Sequence, residues 1–334
     1  MNEIKMENLK LTQEWDKTFP KYDDVNHKKI TFANRFGITL AADVFWPKDE
    51  KAKYNAIAVS GPFGAVKEQV SGRYAQEMAR HGFLTIAFDP SFTGESGGYP
   101  CHIASPDINT EDFQAAVDYL SSLDNVDEEH IGIIGICGWG GMALNVASLD
   151  PRIKVTAAVT MYDMSDNFQT GYDHANDNSD ARYQARLMNS RQRTIDYRNG
   201  NRPFIGGLPT MEEAKKSDLP QFVKDYVNFY KNPKRGEHKR SVGGGVGWAS
   251  AGCSSFLVTK LNQYIDEIRS AVLLVHGENA HSRYYSEEAF KKLKGENKEL
   301  YIVPGAVHCD LYDGGINQDK IPYGKIVKFI EDNI

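Results

Sequence analysis

One thiol and one imidazole stand where chemistry is feasible. Ile131 to Ile136 forms an apolar run that enters Gly135-Ile136-Cys137-Gly138-Trp139-Gly140-Gly141 and then the helical Met142-Ala143-Leu144-Asn145-Val146-Ala147. A strand, a glycine-rich turn and a helix around a single cysteine is the setting of a nucleophile elbow. The reacting atom there stands exposed at the carboxyl end of a sheet, and the glycines relieve close backbone contacts. The following helix N-terminus favours a thiolate, and a nearby imidazole can take the proton. Leu300 to Val303 forms a last strand, and Pro304-Gly305-Ala306-Val307-His308 carries a histidine in the loop after it. The spacing makes Cys137 the candidate nucleophile and His308 the candidate general base, in the chain order such an elbow requires.

Those two residues must be delivered by a parallel sheet. Lys28 to Ala33 and Ile38 to Phe45, joined at Asn34-Arg35-Phe36-Gly37, predict an antiparallel hairpin. Short, nearly continuous apolar runs then follow at Ala56–Val59, Leu84–Phe88, Ile131–Ile136, Val155–Thr160, Val272–Val275 and Leu300–Val303, the pattern of strands buried on both faces. Amphipathic stretches between them predict helices and a doubly wound α/β sheet. From Asp163 to about Ile268 the rhythm breaks and composition turns polar, with helical patches at Ala181–Tyr197 and Leu219–Tyr230. The expected organisation is an N-terminal extension over 1–25, a core formed by 26–162 and 269–334, and a helical cap insertion over 163–268. The glycine run Gly243 to Gly247 lacks the lysine of a phosphate-binding loop and reads as a hinge or turn.

Composition narrows the function classes. A chain of 334 residues with 41% hydrophobic and 25% charged residues is an ordinary globular protein. The net charge of −6 offers no broad attraction to nucleic acid or anionic lipid. The basic stretch Lys231 to Arg240 reads as a solvated loop. No apolar run reaches signal-peptide or membrane-spanning length, and the four cysteines, Cys101, Cys137, Cys253 and Cys309, form no C-x-x-C pair. The expectation is a soluble cytoplasmic protein with reduced thiols, without metal or cofactor, acting on a small acyl substrate, with no nucleic-acid or membrane partner and a homo-oligomer open.

Gly61-Pro62-Phe63-Gly64, Asp89 to Gly98, the cysteine elbow, Leu274-Val275-His276-Gly277-Glu278 and Pro304 to His308 occur in one order along residues 26 to 334. Together they resemble the α/β-hydrolase superfamily, and within it the dienelactone-hydrolase-like branch with a cysteine nucleophile and bacterial hydrolases related to fungal polyketide transferases. The resemblance implies hydrolysis of an ester, lactone or thioester, or acyl transfer, through a cysteine-bound acyl group, and an oxyanion hole from the Gly138 and Phe63 amides. It also implies a carboxylate to orient the histidine. The customary position, three residues after Gly277, holds Ala280, leaving Asp163 just past the Val155–Thr160 strand as the preferred acid and Glu278 as the alternative. Trp139 stands where a small residue is usual. Shifting the register would put Gly138 at the nucleophile position and leave a non-catalytic ligand-binding protein. The aromatic residues Tyr172, Tyr183, Tyr197 and Trp248 of the insertion are expected to line an apolar acyl pocket.

Overall fold

Asn34 closes the first hairpin. Its side-chain oxygen accepts from the Phe36 and Ile38 amides, each at 3.0 Å, and Gly37 takes a φ of 78°, open to glycine without steric cost. The flanking strands β1 (Val25–Ala33) and β2 (Thr39–Pro47) therefore pair antiparallel, in register from Val25 with Pro47 to Ala33 with Thr39. The computed structural model describes residues 5–316 and 318–334. Residues 1–4 of the expected extension and residue 317 of the expected core lie outside the described residues.

After the hairpin come β3 (Tyr54–Ser60), α1 (Val70–Arg80), β4 (Leu84–Phe88), α2 (Pro106–Ser121), β5 (Val126–Ile136), α3 (Gly138–Leu149) and β6 (Ile153–Val159). The chain then leaves the sheet for α4 (Met164–Thr170), α5 (Ser179–Asn199), β7 (Phe204–Gly206), α6 (Met211–Lys216), α7 (Gln221–Tyr230) and β8 (Gly247–Ala249). It returns through β9 (Ala271–Gly277), α8 (Arg283–Lys292), β10 (Lys298–Val303), α9 (Asp310–Asp313) and α10 (Tyr323–Asn333). The main sheet has eight strands in the order β1-β2-β4-β3-β5-β6-β9-β10, antiparallel at β1–β2 and β2–β4 and parallel elsewhere; β7 and β8 make a separate antiparallel pair. Because helices cover both faces, β4 and β9 are buried along their whole length, which explains their unbroken apolar runs. No helix of the described residues is long and apolar enough to cross a membrane.

The stretch between β6 and β9 leans on the core through aromatic contacts. Trp248 and Phe256 pack on Phe63, with ring centroids 4.5 and 5.8 Å away, and Tyr226 packs on His308 at 5.3 Å. The basic stretch Lys231 to Arg240 is not a solvated loop. Arg235 makes two hydrogen bonds to the Asp313 carboxylate, and Arg240 reaches Asp16 and Glu68 at 2.8 and 2.9 Å. Its two arginines find carboxylates distant in the chain, Lys231 reaches the Gly244 carbonyl, and Lys234 and Lys239 stay exposed.

Candidate active site

β5 lies between β3 and β6 and carries Cys137 to the carboxyl edge of the sheet, where its amide donates to the Val159 carbonyl at 2.9 Å. Cys137 takes φ 57° and ψ −127°, and Gly138 begins α3, so the left-handed residue of the turn is the cysteine and not the glycine. Trp139 disturbs nothing. Its ring turns into the core against Phe88 and Phe113, with centroids 5.8 and 5.3 Å away. The close backbone approaches fall on the glycines around it: a Cβ on Gly135 would lie 2.1 Å from the Trp139 carbonyl oxygen, and one on Gly141 2.3 Å from that of Tyr162.

The sulfur is nearly enclosed. Burial pushes the thiol above its ordinary pKa, and the Tyr312 hydroxyl and the Phe63 and Gly138 amides, near enough to act on it, pull the other way. The Phe63 amide is aimed by Gly61, which holds φ 106°, with its carbon so near the Ile136 carbonyl that any Cβ would collide. The two amides predicted for an oxyanion hole thus face one point from opposite loops.

His308 sits in the loop between β10 and α9. Its Nδ1 lies 2.6 Å from Ser282 Oγ and 2.9 Å from Thr160 Oγ1, and its Nε2 lies 2.9 Å from the Tyr312 hydroxyl. Ser282 continues to His276 Nε2 at 2.9 Å, and His276 Nδ1 to Ser286 at 2.6 Å. Burial is the main cause holding both rings neutral, with His308 well below the usual histidine range and His276 lowered to about 3.

Neither predicted acid reaches this histidine. Asp163 is the N-cap of α4: its carboxylate accepts from the Asp166 amide and from Asn262 Nδ2, both at 3.1 Å, because the helix beginning at the next residue needs an acceptor there. Glu278 accepts from the Gly305 amide at 2.8 Å and braces the turn after β10. Hydroxyl groups from the ends of β6 and the β9–α8 loop stand at Nδ1 where a carboxylate was expected.

Around the pair lie Tyr162, Tyr226 and Tyr312, with ring centroids 5.4, 5.3 and 5.2 Å from that of His308. Sequence reasoning missed them. Tyr312 had a signal, four residues beyond His308 at helical spacing; Ser282 had none. Of the aromatics expected in a pocket, Trp248 is at Phe63 and Tyr172 touches His281, but Tyr183 and Tyr197 face solvent at 58% and 91% exposure. Cys309 is buried and Cys101 exposed. A cavity of about 430 Å³ abuts Tyr312 and is bounded by Phe229, Gln69, Arg73 and Arg235.

The eight-stranded sheet, with helices on both faces and a residue of positive φ at the β5–α3 turn, is the α/β-hydrolase fold. The chain belongs to the family described as X-Pro dipeptidyl-peptidase (S15 family), whose model matches residues 37–310. It is 50% identical over 330 residues to uncharacterized protein PA2218 of Pseudomonas aeruginosa, covering 98% of this chain and 86% of that one. The crystal structure of that protein superposes with a TM-score of 0.92 over 98% of this chain and all of the other. Thiohydrolase aneE of Aspergillus aculeatus is 33% identical over 137 residues, 41% of this chain and 42% of its own. The α/β hydrolase GrgF from Penicillium shares the fold with a TM-score of 0.70 at 17% identity, over 92% of this chain and 99% of that one. Family and fold place this chain among hydrolases of the α/β type.

Proposed function

We propose that the protein cleaves activated acyl compounds, thioesters and esters including lactones, through an acyl group held on Cys137. The observation that carries this reading is the Cys137 sulfur on the β5–α3 turn with the Phe63 and Gly138 amides converging on it. The thiol proton passes to His308, the thiolate adds to the carbonyl carbon, and the two amides hold the oxyanion. The leaving thiol or alcohol departs with the proton, and water, deprotonated by His308, releases the acid and restores the thiol. An alcohol or amine in place of water gives acyl transfer with the same residues.

The same site is poorly suited to the amide bonds that the family description names. An amine must be protonated as it leaves, and an imidazole flanked by hydroxyls, with burial disfavouring its charged form, is a weaker source of stabilised imidazolium than one backed by a carboxylate. A thiolate or an aryl oxide leaves without that help.

The test is incubation with an aryl-ester panel and a thiol-directed acyl probe. A mass gain on Cys137, absent in Cys137→Ala and slowed in His308→Ala, is expected. No adduct with any probe would favour the non-catalytic ligand-binding protein, and brisk turnover of an X-Pro anilide would overturn the preference for activated acyl groups.

A further inference from the structure

Resting on the Cys137–His308 reading, we propose that the Tyr312 hydroxyl is a third catalytic group, which relays the thiol proton to His308. Its position carries the argument. The hydroxyl lies 2.9 Å from His308 Nε2 and is also the side chain near enough to the Cys137 sulfur to favour its thiolate. Tyr312 is wholly buried, and its ring is gripped by Phe229 and His308, with centroids 5.0 and 5.2 Å away. The Tyr74 hydroxyl donates to the neighbouring Leu311 carbonyl at 2.7 Å and fixes the backbone that presents it.

The polar chain behind the histidine has a consistent sense. The relay requires the sense in which His276 is protonated on Nδ1: Nδ1–H then donates to Ser286, the Ser282 hydroxyl to His276 Nε2, and His308 Nδ1–H to Ser282. Nε2 of His308 is then the bare nitrogen. The Tyr312 hydroxyl can then donate to it and take the Cys137 thiol proton on its own oxygen, after which the new O–H faces the thiolate, the state this contact favours. In the step, the phenol O–H bond breaks as its proton moves to Nε2, and the S–H bond breaks as the thiol proton moves to the phenol oxygen. Thiolate and imidazolium result and the phenol is regenerated. Both transfers occur together, because burial holds the phenol pKa far above its ordinary value and a free phenolate is excluded.

The experiment is pre-steady-state acylation by an aryl ester in wild type and in Tyr312→Phe, which keeps the ring. The acylation rate is expected to fall roughly 100-fold, within the range for a lost proton-transfer group. KM should shift by less than about threefold, and Tyr312→Phe/His308→Ala should be no slower than His308→Ala alone. In mixed light and heavy water the wild-type acylation rate should curve with deuterium fraction, the signature of two protons in flight. Wild-type acylation by Tyr312→Phe, or a straight line in the wild-type isotope plot, overturns the relay. If Tyr312→Phe fails to fold, the wild-type plot decides. Ester turnover surviving in Cys137→Ala would sink the cysteine reading, a result distinct from either.

Discussion

Two buried polar clusters flank the loop that carries Phe63, and they are built on opposite principles. Behind it, the Lys67 ammonium is fully enclosed and touches the carboxylates of Glu68, Asp89 and Glu95 at 2.7 to 2.8 Å, with Lys29 and Arg240 closing the outer side. In front, the chain from His308 through Ser282 to His276 and Ser286 contains no charged partner. Full charges locked against one another resist displacement, and the Lys67 amide, donating to Asp89 at 2.7 Å, anchors the same loop. Neutral groups in series let a proton move without uncovering an unpaired charge. On the mechanism proposed above, one cluster holds position and the other changes protonation.

The contrast breaks first if the charged cluster proves dispensable. Lys67→Met keeps much of the volume but leaves facing carboxylates without their central cation, and should cost about 3–5 kcal/mol in denaturant unfolding. A loss below about 1 kcal/mol would show that the cluster holds nothing.

The neutral cluster makes a pH statement. The folded-state pKa of His276, about 3, lies below that of an unfolded histidine, about 6.5, so the unfolded chain binds more protons as pH falls. The stability from keeping this ring neutral is complete above the unfolded pKa and drains away as pH drops from there toward 3. About 2 kcal/mol should be gone from this residue by pH 5. Unfolding curves at pH 7 and 5 should show a smaller difference in His276→Gln than in wild type.

Ser282→Asp sharpens the comparison by moving one charge into the neutral chain. A carboxylate at Nδ1 favours imidazolium, so the acid limb of the kcat/KM profile should rise by about one pH unit. An unmoved limb would mean that His308 does not govern it. The smallest effect belongs to the carboxylate left outside both clusters. Asp163→Ala removes the α4 cap at a cost of about 1 kcal/mol, read from thermal melting, and should leave ester turnover within about threefold.

The strand–turn–helix around Cys137 and the loop bearing His308 were legible because each lies within a short consecutive stretch whose pattern reports the backbone. The hairpin at Asn34–Gly37 and the parallel strands were legible for the same reason. The partners of His308 were not. Thr160, Ser282 and Tyr312 come from three separate elements, and a serine or threonine that ends up on an imidazole looks in sequence like any other loop hydroxyl. A third member expected to be a carboxylate points to Asp163, whose local duty is a helix cap. Lys231 to Arg240 misled in the converse way, since a charge run does not disclose that Glu68, some 170 positions earlier, awaits Arg240.

The backbone at Cys137 has a consequence for what evolution can do with this protein. An L-residue held at that φ costs the fold about 1–3 kcal/mol, and glycine alone would escape it. On the cysteine mechanism proposed above, drift toward glycine at 137 would be rewarded with a sturdier molecule and punished with a silent one, so stability and activity pull this one position in opposite directions.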